Sequence, residues 1–205
     1  MYAQILIAAS FCVAAYQDVK DRAVSDLVWI PALGGVAYIL YSMVTSSNPP
    51  LEYELVKVGL IGGVALAAAY LGFVGEADAI ALAFVAADPY RLSPIVPLVF
   101  GSAVALVHIG YEFANGNARG TRTIPMEKFL REQRWIPKAV LHDGSRTEVS
   151  GDVNVARDEV EASKTPDAMV EVSYGVPTVA YLGVGYVAFI IFLAFFSPSV
   201  FASLP

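Results

Sequence analysis

The chain has 205 residues, of which 57% are hydrophobic and only 16% charged, with a net charge of −6. Soluble domains average roughly 25% charged residues, so this composition, with a mean hydropathy of +0.59, argues against an ordinary soluble domain and for a membrane protein. Nine of the thirteen Lys and Arg fall between Arg119 and Lys164 with acids interleaved; no basic stripe forms, which argues against a nucleic-acid partner.

The first apolar run covers residues 2–16 and contains Cys12, the single cysteine, so no intrachain disulfide exists. No Lys or Arg precedes this run, and Lys20 and Arg22 follow it. That order predicts an uncleaved helix with its N-terminus outside, not a cleaved signal peptide. A second span is predicted over 27–44, with Ser25 and Asp26 as N-cap candidates. Its Gly34-Gly35 pair suits close helix packing. Pro49-Pro50 marks a loop. A third span is predicted over 55–74, apolar apart from Lys57, which is expected near the edge. Gly59, Gly62 and Gly63 suggest a packed face on it.

Residues 79–87 carry no charge but number about half of the ~20 that a membrane helix needs. They predict either a short fourth helix or one that starts earlier in a thinned bilayer, and both leave Asp78 near the lipid boundary. The segment 88–94, with two prolines, turns the chain into a fifth span over 95–113. Residues 114–171 are polar. Short extended runs are expected at 138–141, 147–149, 153–155 and 169–174, and a helix at 126–134 behind Pro125. A sixth span is predicted over 176–196, ended by Ser197-Pro198.

The expected fold is therefore an all-α membrane protein of six transmembrane helices, with a small cytoplasmic α+β insertion between helices five and six. The predicted division is 1–113 for five helices, 114–174 for the insertion, 175–197 for the sixth helix and 198–205 for a short tail. With the N-terminus outside, Lys20, Arg22 and the nine basic residues of the insertion are cytoplasmic, against Arg91 and Lys57 elsewhere. Eleven against two is a positive-inside bias, and it predicts a multi-pass protein of the cell membrane.

The same topology puts Asp18, at the end of span one, and Asp78, at the start of span four, on the cytoplasmic side. Ionisable residues at such positions are costly in lipid and are functional candidates. Two neighbouring carboxylates share one proton. The ionised one takes a proton from water as it attacks a carbonyl, and the protonated one donates to the carbonyl oxygen. This chemistry cuts a peptide bond without a metal or a cofactor. Gly75 and Ala77 are small enough to admit an extended substrate beside Asp78, and Glu76 is an acid suited to attract basic groups.

The stretch from Gln17-Asp18-Val19-Lys20 through Asp26-Leu27-Val28-Trp29 resembles the first aspartate motif of archaeal preflagellin peptidases and the related type IV prepilin peptidases. Gly75-Glu76-Ala77-Asp78 resembles their Gly-x-Gly-Asp motif. The order of helices, acids and insertion is also similar, over essentially the whole chain. The resemblance implies a membrane aspartic endopeptidase that removes the short basic leader of archaellin or pilin-like precursors, with Asp18 and Asp78 as its catalytic pair. The chain departs from the pattern at Ala77, where the family has glycine, and at Ile80, where relatives commonly carry Lys. The four-cysteine module of many bacterial prepilin peptidases has no counterpart, so neither zinc nor N-methylation is expected.

Other readings of the same residues stand beside this one. Asp78 suits a helix cap, and Asp18 suits an interfacial acid near Lys20 and Arg22. Asp21 and Asp26 read as interfacial or capping residues. His108 and Glu112 lie four apart on one helical face, but two ligands alone make a weak metal site. Trp29 and the tyrosines read as core or interfacial anchors. At the level of function, a small transporter or proton relay would use the same acids. Such a path needs polar groups deeper in the membrane, and spans two, three and six show almost none. A presenilin-like intramembrane protease shares the Gly-x-Gly-Asp element but carries Tyr-Asp where this chain has Gln17-Asp18. A membrane anchor for a working insertion is the fourth reading.

Overall fold

The structure, a computed structural model, describes residues 2–46, 51–71, 74–89, 93–150, 153–163 and 168–196. The expected turn at Pro49-Pro50, the middle of the 88–94 turn with Arg91, Lys164, the Ser197-Pro198 stop and the tail lie outside the described residues. The elements in order are α1 (Tyr2–Asp21), a 3-10 turn (Asp26–Trp29), α2 (Ile30–Ser46), α3 (Leu51–Tyr70), α4 (Glu76–Ala86) and α5 (Ile95–Ala114). There follow β1 (Thr121–Pro125), α6 (Met126–Arg131), β2 (Trp135–His142), β3 (Ser145–Glu148), α7 (Val153–Ser163), β4 (Met169–Tyr174) and α8 (Thr178–Phe196). They form two compact units. The first is Met1–Asp18, Val24–Leu106 and Pro177–Pro205; the second is Val19–Ala23 and Val107–Val176.

Among the described residues five helices are long and apolar enough to cross a membrane: Tyr2–Asp21, Asp26–Thr45, Leu51–Tyr70, Ile95–Ala114 and Thr178–Phe195. This is a helical membrane protein with five helices of spanning length, not the six expected. The difference is α4. Its 11 residues reach about 16 Å, roughly half of a hydrocarbon core. Large apolar side chains stay exposed along the outer helices, among them Leu33, Leu60, Val64, Val99 and Leu106. An outward apolar surface of this extent suits lipid rather than water.

The core of the first unit is aromatic at its centre. Trp29 stacks on Phe84 at 5.4 Å and meets Phe11 edge-on at 5.6 Å. Phe11 also packs on Tyr186 at 5.2 Å. Trp29 is thus a core residue, and its cluster joins α1, α4 and α8. Small residues bring the backbones together. A Cβ on Gly35 would stand 2.7 Å from the Ala3 carbonyl oxygen, and one on Gly185 would collide with the Pro97 carbonyl oxygen. Gly34 meets nothing within 4 Å, so Gly35 alone of the pair makes the close approach. Gly62 is buried against Ala83, whereas Gly59 and Gly63 are exposed and meet nothing. The expected glycine face on α3 therefore reduces to one residue.

The second unit holds an antiparallel sheet of order β1-β4-β2-β3. Thr121 faces Ser173, Trp135 faces Tyr174, and Ala139 faces Glu148. Phe129, Trp135, Val160, Val170 and Val172 are buried together as its core. The expected strands at 138–141, 147–149 and 169–174 fall on β2, β3 and β4. The run 153–155 instead begins helix α7, because the helix-forming residues after it place Ala156 and Val160 four apart on one buried face. The helix expected over 126–134 ends at Arg131, where Glu132 turns extended at φ −110° and ψ 106°.

Candidate active site

Asp18 lies in the last turn of α1, which extends beyond the apolar run 2–16 to Asp21. One residue earlier, Gln17 accepts a hydrogen bond from the Ser25 main-chain N–H at 2.9 Å. That bond folds the connection to α2 back against the helix. Ser25 stands at the N-cap of the 3-10 turn as expected, but its side chain makes no cap bond. The Asp18 side chain is buried, at 7% exposure. Its Oδ2 accepts the Ala180 N–H at 2.9 Å. Ala180 is in the first turn of α8, where unpaired amides and the helix dipole favour a negative charge.

Asp78 lies in the first turn of α4. Its Oδ2 accepts the Gly75 N–H at 3.2 Å. This is half of a capping box and fixes the carboxylate against the helix start. A Cβ on Gly75 would stand 3.2 Å from that same oxygen. Glycine here therefore leaves room for the carboxylate itself. Glu76 is exposed, and Ala77 packs against the apolar core. Asp78 is half-buried.

The two acids are 60 positions apart in sequence and lie on different helices. Asp18 nevertheless stands within the range at which its charge acts on Asp78. Both belong to the first unit, and the aromatic cluster of Phe11, Trp29 and Phe84 joins the helices that carry them. Each carboxylate accepts a main-chain N–H at a helix N-terminus. Both capping and acid–base chemistry use this geometry, and neither needs a further ligand.

His108 and Glu112 face each other at 3.6 Å, and Glu112 also accepts a hydrogen bond from Asn117 Nδ2 at 2.6 Å. Among the described residues no three His, Cys, Asp or Glu are grouped to share a metal ion. Sequence reasoning missed Ala180 as the partner of Asp18, because a main-chain donor leaves no mark in residue type. It also set Lys57 at the edge of its span, whereas Lys57 is buried and pairs with Glu54 at 2.7 Å. The i, i+3 spacing of these opposite charges inside an apolar run was the available signal. No protein-family model, curated protein or solved structure matches the chain.

Proposed function

We propose that the protein is a membrane aspartic endopeptidase that removes the short basic leader of archaellin or pilin-like precursors. The observation that carries this reading is that Asp18 and Asp78, on separate helices and within range of each other's charge, are each held by a main-chain N–H. One carboxylate is ionised and takes a proton from the attacking water. The other donates its proton to the scissile carbonyl oxygen. Collapse of the tetrahedral intermediate breaks the C–N bond, and the proton taken from water passes to the leaving amine. In this reading α4, too short to span a bilayer, carries Asp78 at its N-terminal end. The N-terminus is outside, the acids and the insertion are cytoplasmic, and exposed Glu76 attracts the basic leader. Gly75 and Ala77 line the approach of an extended substrate.

The test is leader removal from an archaellin-like precursor in proteoliposomes, followed by mass spectrometry of the new N-terminus. The parent cleaves after the leader, and Asp18→Asn and Asp78→Asn do not. Cleavage that survives in either variant makes that acid structural and ends the paired-acid reading. One observation favours a second reading, a proton relay through the same acids. Glu54, Lys57, Asp88 and Tyr186 form a buried polar set within the helical unit. Acid-dependent proton flux in liposomes, with no cleavage of any leader, selects the relay.

A further inference from the structure

The short helix α4 has two ends, and the acids explain only one. Its C-terminal end is buried inside the helical unit, with Ala86, Ala87 and Asp88 shielded from solvent. Carbonyl groups there find no water and must be satisfied by protein. Two side chains do so, and a third holds the Asp88 carboxylate. Lys57 Nζ donates to the Asp88 carbonyl at 2.7 Å. Ser93 Oγ reaches the Val85 carbonyl at 2.9 Å and the Asp88 carbonyl at 3.1 Å. Tyr186 donates its hydroxyl to Asp88 Oδ2 at 2.8 Å. Asp88 and Ser93 are fully buried. The Lys57 ammonium complements the negative end of the helix dipole. Glu54 offsets that charge, with Oε2 at 2.7 Å from Lys57 Nζ, although neither Glu54 oxygen accepts an aligned hydrogen bond.

Tyr186 belongs to α8, the helix whose first turn binds Asp18 through Ala180. Six residues, about 9 Å of helix, separate the two attachments. α8 therefore holds Asp18 at one point and the far end of α4 at another. α4 carries Asp78 at its opposite end. Asp18, α8, Asp88 and α4 form a closed frame, and two rigid helices set where Asp78 stands relative to Asp18.

We infer that the Tyr186–Asp88 hydrogen bond, with Lys57 and Ser93 beside it, is a positioning device that fixes the separation of Asp18 and Asp78 from the far end of α4. In its consequence for cleavage this inference rests on the peptidase reading; in its geometry it does not. Tyr186 touches no reacting atom and acts through α4.

Two readouts test it on the whole protein in liposomes. The first uses paired spin labels, one on native Cys12 of α1, which is exposed, and one on α4 through Glu76→Cys. Pulsed dipolar spectroscopy then reports the α1–α4 distance distribution. Tyr186→Phe removes one hydroxyl and is expected to broaden or shift that distribution. Asp88→Asn keeps an oxygen that accepts from Tyr186 and is expected to retain the parent distribution. The second readout is cleavage in chains with native Glu76. Misplacing reacting groups by about 1 Å costs on the order of 100-fold, so Tyr186→Phe is expected to lower kcat by about 10-fold or more with KM unchanged. A parent-like distance distribution in Tyr186→Phe overturns the inference, whatever the rate does. A broadened distribution in a chain whose parent cleaves nothing sustains the frame and defeats the peptidase reading alone.

Discussion

Asp18 is asked to do two things, and they separate on substitution. Asn keeps a side-chain oxygen that accepts the Ala180 N–H, now 2.9 Å from Oδ2, but has no charge. The loss is the interaction of a carboxylate with the α8 dipole, about 0.3–1 kcal/mol and up to ~2 kcal/mol in partly buried settings. Ala removes the acceptor as well and leaves a buried N–H unpaired, which adds about 1–3 kcal/mol. Asp18→Ala is therefore expected to cost about 2–4 kcal/mol in all, and Asp18→Asn about 1 kcal/mol. Cleavage does not follow this order, because neither residue can exchange a proton as a carboxyl group does. The assay is thermal unfolding in one detergent beside leader cleavage under one set of conditions. The account predicts melting points in the order parent, Asn, Ala, with activity absent from both variants. Equal destabilisation by Asn and Ala would refute the capping argument. Activity in Asp18→Asn within about tenfold of the parent, a loss of only ~1.4 kcal/mol, would refute a role in proton transfer.

Three further outcomes follow from particular contacts. Gly75→Ala puts a methyl group 3.2 Å from Asp78 Oδ2 at a backbone conformation, φ −72° and ψ 153°, that alanine adopts freely; kcat should fall several-fold with the melting point nearly unchanged, and an unchanged kcat would show that the carboxylate position is not critical. Gly185→Ala drives a Cβ into the Pro97 carbonyl and should cost about 1–3 kcal/mol as an overpacked contact, while Gly34→Ala, which meets nothing within 4 Å, should be neutral or slightly stabilising by unfolding in detergent; equal effects would sink the packing argument. In the second unit, burial raises the Glu132 carboxyl, but hydrogen bonds from Trp135 Nε1 and the Arg134 guanidinium outweigh it and hold it below its usual value. A lowered folded value stabilises above the unfolded pKa, near 4.3, and the contribution disappears as pH falls through the folded value. Unfolding followed by Trp135 fluorescence should therefore lose stability below about pH 4 in the parent and lose less in Glu132→Gln; identical profiles would contradict this.

The helices of spanning length were legible in the sequence because long apolar runs admit few other structures. Their ends were not. α1 continues to Asp21, carrying a charged residue in its last turn because the first turn of α8 supplies a donor for Asp18. α3 begins at Leu51 rather than at residue 55, since Glu54 and Lys57 neutralise each other inside the unit. β1 was missed because Thr121–Pro125 contains one apolar interior residue, Ile124, and owes its form to pairing with β4. The glycines of α3 misled because sequence spacing shows which residues share a face and not which face is covered. The acids were legible as residue types between apolar segments. Their main-chain partners, and the frame that ties α4 to α8, arise only from tertiary contact.

The central claim is that Asp18 and Asp78 act as one unit, and a double-variant comparison of cleavage tests it most directly. Single-turnover rates for Asp18→Asn, Asp78→Asn and the double variant are measured on one precursor. Groups that share a reaction step are strongly non-additive. The account predicts that the double variant is no slower than either single variant. Losses that multiply in the double variant would show two acids acting independently, and would contradict the shared-proton mechanism.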